Sequence, residues 1–211
     1  MVHGSSSLNT LASGFPYFRH DLRCTFHMRS SLLFALVLLS LGISAQERWR
    51  VNKSLVSFVS DAPMERIVAE NTRSSGIIEL ETRSFAVQIP IKEFQGFNGP
   101  LQREHFNENY MASELYPHAT FVGRIIESVS LVIPGTQEVR AKGKLTIHGA
   151  EKERIIPCKV VVAENGIRIT TTFDVAVDEH GIRIPRVVQQ KIAAVVTVKV
   201  DLLFEPGPRT P

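Results

Sequence analysis

The sequence contains very little cysteine. Its 211 residues include only Cys24 and Cys158, and Cys24 precedes the segment that we expect to fold. A single remaining cysteine excludes an intrachain disulfide, and with it a small disulfide-stapled scaffold. Cys158 alternates with Ile156 and Val160 on the apolar face of a predicted strand. We therefore expect Cys158 to pack as a small buried hydrophobe rather than to act as a reactive thiol.

The sequence also lacks the residue groupings that catalysis or metal binding would require. It has no phosphate-binding glycine loop, and four histidines after residue 46 occur outside HExxH or paired CxxC spacings: His105, His118, His148 and His180. Glu104, His105 and Glu108 could hold a metal on one helical turn. Carboxylates near the start of a short helix more often serve the helix dipole and solubility. We therefore expect no enzymatic activity, no metal and no cofactor.

Neither sign of charge dominates the chain. The net charge is +3 over the whole sequence, and the first 45 residues hold three arginines and one aspartate, so the remainder carries +1. Proteins that bind nucleic acids concentrate lysine and arginine on one face. The near-neutral balance gives no reason to expect a polyanion as partner, and we predict no nucleic-acid binding.

No apolar run is long enough to cross a bilayer, which takes about 20 residues. The apolar run 32–41 follows a basic start at Met28-Arg29 and precedes the small residues of 42–45. This order is that of a secretory signal peptide, whereas a buried core helix would not account for these flanks. We expect residues 28–45 to be cleaved and the mature protein to be periplasmic or secreted. Residues 1–27 are then an upstream extension, with translation beginning at Met28.

What the chain does have is alternation of apolar and polar residues with a period of two. Such alternation is typical of a strand with one face in water. Bounded by turn residues, it predicts eight strands at 49–60, 76–81, 84–91, 119–127, 139–149, 154–162, 166–178 and 192–204. Asn165-Gly166 predicts a tight hairpin because both residues adopt positive φ readily. Residues 46–205 are the predicted domain. The end of the chain from Glu205 is expected to be unpaired, with 206–211 as a flexible tail.

Eight antiparallel strands that each have one wet face must close into a barrel or stack as a sandwich. Small residues occur on the apolar faces, namely Gly123, Ala141, Gly143 and Ala194. They leave volume that a packed sandwich would fill, and an eight-stranded barrel is wide enough to hold one small ligand. The barrel is therefore the prediction, and a β-sandwich with a solid core is the alternative.

One short helix interrupts this pattern of strands. Phe106, Tyr110 and Met111 recur at helical spacing, so residues 106–111 are predicted to form a helix with an apolar face. Pro117 is expected to end it. Two interpretations stay open: the helix plugs one barrel end as ordinary core, or it is a lid whose aromatic residues face an apolar guest.

The segment that contains this helix resembles the YceI-like lipid/polyisoprenoid-binding family. Tyr116-Pro117 and Ala119-Thr120-Phe121 match a K-Y-P-x-A-x-F motif, and the run 143–149 resembles G-x-L-T-I-x-G. The turn at 178–185 is similar to that of one subgroup. Residues 104–111 depart from the HL-R-S-x-D-F-F motif that precedes these in the family. The resemblance covers about residues 48–204.

The resemblance implies an all-β fold, a lipocalin-like eight-stranded antiparallel β-barrel with a short helix near one end. It implies an exported, non-enzymatic protein that binds an isoprenoid or other long-chain lipid inside the barrel. Residues 60–71, where the family has its first hairpin, are expected to form a loop or short helix, which would shorten or close the pocket. The alternative is a filled barrel that acts as a structural or stress-related interaction protein, and a homodimer stays open.

The predicted ligand-binding residues combine the aromatic residues around the short helix with apolar residues on inward strand faces. They are Phe94, Phe97, Phe106 and Tyr110 at the lid, and Phe121, Leu145, Ile147, Phe173 and Val175 on the barrel lining.

Overall fold

The computed structural model describes residues 48–207. The predicted upstream extension and signal peptide lie outside this range, as do residues 208–211 of the predicted tail. The described chain forms strands β1 (Arg48–Asp61), β2 (Arg66–Asn71), β3 (Ser75–Glu79), β4 (Ser84–Pro90), β5 (His118–Ile125), β6 (Gly135–Ile147), β7 (Ala150–Ala163), β8 (Gly166–Ala176) and β9 (Val195–Pro206). Helix α1 (Pro100–His105) continues into a π-helical turn at Phe106–Tyr110. None of the helices within 48–207 is long and apolar enough to span a membrane.

The strands form one antiparallel sheet that closes on itself. Neighbouring strands pair in chain order from β3 to β9, and β9 pairs with β1 along most of its length. β2 and β3 lie on the same side of β1, where β2 pairs with one end of β1 and β3 with the other. The two short strands therefore fill one position of an eight-stranded closed barrel. The predicted all-β antiparallel barrel with a short helix is confirmed.

β2 corrects the expectation of a loop or short helix at residues 60–71. Ile67, Ala69 and Asn71 are buried, whereas Arg66 and Glu70 are exposed and Val68 is half-buried. This alternation has the period of a strand, and β2 pairs with Val56–Asp61 of β1. Only residues 62–65 form the turn. A hairpin is therefore present where a loop or short helix was expected, and the pocket is not shortened at this point.

The short helix begins and ends earlier than predicted. It starts at Pro100, where a missing N–H costs nothing because the first turn has no partner for it. It ends near Met111, whose N–H donates to Phe106 O at 2.9 Å, and Ala112 then adopts a left-handed φ of 42°. Pro117 does not end the helix. It lies just before β5, and its carbonyl oxygen accepts a hydrogen bond from Ile91 N at 2.9 Å.

The end of the domain is also more ordered than expected. Glu205 and Pro206 complete β9 and pair with Arg50 and Trp49 of β1. A proline is tolerated here because it stands at the terminus of the strand and costs the sheet little hydrogen bonding. The prediction that the chain is unpaired from Glu205 onward is therefore wrong for these two residues.

Two hairpins show different turn chemistry. Glu164 and Asn165 connect β7 to β8, so the predicted tight hairpin is confirmed, yet neither residue has a positive φ. The two-residue turn between β6 and β7 has positive φ at both positions, 51° at His148 and 74° at Gly149. That is the geometry of a type I′ turn, whose twist matches that of the flanking strands.

Paired glycines mark the closest approach of β5 and β6. Gly123 and Gly143 are opposite each other, and a Cβ on Gly143 would lie 2.4 Å from Val122 O. A Cβ on Gly123 would lie 2.2 Å from Lys142 O. These glycines therefore allow the two backbones to come close together. The expectation that they leave empty volume inside is wrong.

The barrel has one packed end and one end where the longer connections gather. Six buried side chains fill the packed end: Trp49, Ile78, Leu80, Leu131, Val162 and Ile167. We call the other end the mouth end. It holds the turn 62–65, the connection 91–117 with α1, and the connection 177–194 between β8 and β9.

Candidate functional site

A cavity of about 680 Å³ occupies the barrel interior towards the mouth end. Its volume lies within the range of small-molecule sites, roughly 300–1,000 Å³. The walls are inward-facing apolar side chains of the strands, among them Val87, Ala141, Ile156, Val160, Ile169, Val198 and Leu202. None of the six side chains that fill the packed end lines it. The interior is therefore half core and half pocket.

All nine predicted ligand-binding residues line this cavity: Phe94, Phe97, Phe106, Tyr110, Phe121, Leu145, Ile147, Phe173 and Val175. The strand residues among them reach it because alternate side chains of a strand point to the same face. Their contact with a ligand stays a prediction. Of the four small residues, Ala141 lines the cavity as expected, whereas Ala194 is exposed and precedes β9.

An aromatic cluster closes part of the mouth end, and its central member was missed by sequence reasoning. Phe58 of β1 contacts Phe94, Phe97 and Phe106, with ring centroids 5.4, 6.1 and 5.4 Å away. Phe106 also contacts Phe94 at 5.8 Å and Phe97 at 5.0 Å. Such pairs add stability beyond the area they bury, roughly 0.5–1.5 kcal/mol each. The available signal was the period of β1, which places Phe58 on the same face as the buried Val56.

Polar contacts fix the connections at the mouth end to one another. Glu65 Oε1 accepts hydrogen bonds from Asn98 Nδ2 at 3.1 Å and Gln102 Nε2 at 2.9 Å. Met64 N donates to Gln190 O at 2.8 Å. The β1–β2 turn therefore holds the start of α1 on one side and the β8–β9 connection on the other.

The cavity reaches the protein surface at this end. Leu101, His105 and Lys191 line it and are also exposed. Most of its polar lining lies here, including the Glu65 carboxylate and the Gln102 amide. Deeper inside, the polar Thr171 side chain is already satisfied, since its hydroxyl donates to Pro157 O at 2.7 Å. The site therefore offers an apolar chamber with a polar entrance.

Burial changes the chemistry of two groups that line the cavity. Desolvation raises the pKa of the Cys158 thiol to about 11, so it is protonated at neutral pH and a poor nucleophile. Its Sγ donates to Ile156 O at 3.4 Å. Desolvation also raises the pKa of the Tyr110 hydroxyl. The expectation of a buried, unpaired Cys158 is confirmed.

Titratable groups do not converge inside the cavity. Within residues 48–207, no three His, Cys, Asp or Glu side chains come close enough together to hold a metal ion. His180 is fully buried, with Nδ1 3.0 Å from Ala150 O and Nε2 without a partner in the described chain. It lies behind the His148-Gly149 turn and does not line the cavity. Its position is that of a structural side chain beside a hairpin.

Comparisons with known proteins agree with this architecture. The YceI-like domain family matches residues 49–204. A solved polyisoprenoid binding domain from Saccharophagus degradans, implicated in plant cell wall breakdown, superposes with a TM-score of 0.65 at 14% identity, over 75% of this chain and 98% of that one. BcnA of Burkholderia cenocepacia superposes with a TM-score of 0.61 at 18% identity, over 71% of this chain and 95% of its own. A search of curated sequences found no match. The chain belongs to the YceI-like family.

Proposed function

We propose that this protein is an exported, non-enzymatic carrier that holds one apolar, isoprenoid-type lipid inside its barrel. The observation that carries this proposal is the continuous apolar cavity of about 680 Å³ that reaches the surface at one end. A filled barrel that served only as an interaction module would be packed throughout, in the way that this protein is packed around Leu131. The hollow half needs a guest to bury its walls.

The energy available is sufficient for a carrier. Each Å² of apolar surface removed from water contributes about 25 cal/mol, so a guest that buries about 400 Å² gains on the order of 10 kcal/mol. Ordering the guest costs several kcal/mol. With a cost of about 4 kcal/mol, about 6 kcal/mol remain, which corresponds to a dissociation constant of roughly tens of micromolar, since 1 μM equals about 8 kcal/mol and each 1.4 kcal/mol is tenfold. Such affinity permits both loading and release.

The chemical class of the guest is supported by the shape and lining of the site and by family membership. The lining is aliphatic and aromatic, with polar groups mainly at the entrance, which suits a long hydrocarbon with a small polar end. The Saccharophagus degradans relative is described as a polyisoprenoid binding domain. No group in the cavity is arranged as a nucleophile with its base, which supports binding over catalysis.

Export is proposed from the order of basic, apolar and small residues in 28–45. N-terminal sequencing of the protein recovered from the periplasm or medium should begin near Gln46. Recovery of a protein that retains residues before Met28 would contradict both the signal peptide and the start at Met28.

The decisive experiment is purification from the native cell followed by native mass spectrometry and lipid extraction. We expect a bound mass that is removed when lipids are extracted into an organic solvent. Light scattering of the same sample distinguishes the monomer from the homodimer. The control is Ala141→Phe, which fills the cavity from its wall and should leave the folded protein empty. A wild-type protein that is empty and fails to take up farnesol would overturn the carrier.

A further inference from the structure

Three exposed aliphatic side chains surround the entrance of the cavity. Met64 is 64% exposed, Leu101 61% and Val187 90%, and each comes from a different connection at the mouth end. The contacts of Glu65 with Asn98 and Gln102, and of Met64 with Gln190, hold these connections together. We call Met64, Leu101 and Val187, with Arg186 and Lys191, the mouth rim. Exposed apolar groups that gather at one place mark interaction sites.

The mouth rim is continuous with the cavity. Leu101 and Lys191 are exposed and also line the cavity. Val188 and Ile192, from the same connection as Val187, are half-buried and line it too. Beside the polar groups of the entrance, an apolar chain that enters at the rim therefore finds apolar side chains that lead from the surface to the interior. If another surface of the protein faced the bilayer, the guest would have to cross water to reach the cavity.

The charge of this rim fits an anionic surface. No acidic residue occurs between Glu179 and the start of β9, whereas this part of the connection holds Arg183, Arg186 and Lys191. All three basic side chains are exposed, and none forms an ion pair with another residue of 48–207. The exposed carboxylates of the mouth end lie outside the five residues of the rim: Asp61, Glu93, Glu104, Glu108, Glu114, Asp178 and Glu179. Glu114 pairs with Lys92 and Glu179 with Arg154, and the half-buried Glu65 accepts hydrogen bonds from two amides. The basic patch is therefore the β8–β9 connection from His180 onward.

We infer that the mouth rim docks this protein on an anionic phospholipid bilayer. Met64, Leu101 and Val187 enter the interfacial region, and the basic residues contact lipid phosphates. The guest then passes between the leaflet and the cavity without exposure to water. The inference rests on the proposed carrier function, since docking in this orientation serves the transfer of an apolar guest.

The packed end of the barrel provides matched controls. Val132 and Ile133 are 62% and 64% exposed, as much as Met64 and Leu101. They lie beside the buried Leu131 in the β5–β6 connection, and neither lines the cavity. If any exposed aliphatic side chain drove membrane binding, these two would serve as well as the mouth rim.

The test is sedimentation of the protein with phosphatidylglycerol–phosphatidylcholine vesicles and with phosphatidylcholine vesicles alone. We expect binding to the anionic vesicles that weakens with salt. The double variant Met64→Asp/Val187→Asp and the variant Arg186→Glu should each bind about tenfold more weakly. Val132→Asp/Ile133→Asp should bind like the wild type. Equal weakening in the control variant, or no binding by the wild type, would overturn the docking proposal.

A second readout separates docking from the carrier function. Neither Met64 nor Val187 lines the cavity, so the rim variants should retain wild-type affinity for farnesol in solution while they take it up from vesicles more slowly. Uptake from vesicles at the wild-type rate would sink the docking proposal alone. Absence of farnesol binding in the wild type, with vesicle binding intact, would sink the carrier function and leave docking in place.

Discussion

The rings of Phe58 and Phe106 are stacked, with centroids 5.4 Å apart and planes inclined by 18°. One ring belongs to β1 of the barrel wall and the other to the turn that follows α1. This contact, with the edge-on contacts of Phe94 to both rings, attaches the helix to the wall. Tyr110, four residues after Phe106, makes none of these ring contacts and lines the cavity. Phe106 therefore has the position expected of a plug, and Tyr110 is the residue at which the lid interpretation can be tested.

Replacement of Tyr110 by Ser should speed release of the guest with little loss of stability. The side chain lines the cavity and is not part of the aromatic cluster. Off-rates from a preloaded protein, measured beside the melting temperature, test this. The matched variant is Phe106→Ala, which should cost about 3 kcal/mol of unfolding free energy. An unchanged off-rate in folded Tyr110→Ser would mean that the helix is a plug and not a lid.

Leu131→Ala should destabilise the protein without affecting its guest. Leu131 is almost fully buried at the packed end and does not line the cavity. Truncation of a buried leucine costs about 2–5 kcal/mol, which denaturant titration can measure. Affinity for farnesol should stay within twofold of wild type, whereas Ala141→Phe should lose it. A weaker guest affinity in Leu131→Ala would show that the two halves of the interior are coupled.

Gly143→Ala should destabilise the barrel by about 2 kcal/mol, because its Cβ would meet Val122 O at 2.4 Å. Gly99→Ala is the control, since a Cβ there meets nothing within 4 Å. Chemical denaturation of both variants compares them directly. Equal stability of the two variants would count against close approach of β5 and β6 as the reason for the glycine.

Cys158 should make the protein less stable at high pH. Its folded pKa is about 11, whereas an unfolded thiol titrates near 8.5–9. Between about pH 9 and pH 11 the unfolded chain therefore releases a proton that the folded chain keeps, and stability falls as pH rises. Below pH 8 both states are protonated and the effect is absent.

The measurement is the unfolding free energy at pH 8 and pH 10.5 in the wild type and in Cys158→Ala. The wild type should lose about 2 kcal/mol more than the variant, because the other titrating groups cancel in the comparison. Equal losses would show that the thiolate is solvated in the folded state.

Most of the wall of the site was predictable because it depends on local sequence. A period of two assigns Phe121, Leu145 and Phe173 to an inward face once the strand is recognised. The part that could not be predicted depends on contacts between distant segments. Phe58 becomes the centre of an aromatic cluster only when residues 91–110 fold back over β1, and no local pattern records that packing.

The errors have physical reasons of the same kind. Gly123 and Gly143 have no side chain, and the sequence alone does not distinguish a glycine that leaves space from one that lets two backbones touch. Residues 66–71 have alternation over only six positions, too few to separate a strand from a helix by period. The start of α1 at Pro100 follows a known preference. The predicted helix began at residue 106 because it was based on the spacing of the aromatic residues that follow.

The pairing of Trp49 with Pro206 joins the first and last strands of the domain. Closure of the barrel must therefore wait for the C-terminal residues, because β1 has no partner along that edge until β9 has emerged from the ribosome. Folds dominated by such non-local pairing form slowly, on the order of milliseconds to seconds. The barrel cannot close before β9 has been made, and this late closure is compatible with the proposed export by a machinery that carries unfolded polypeptides.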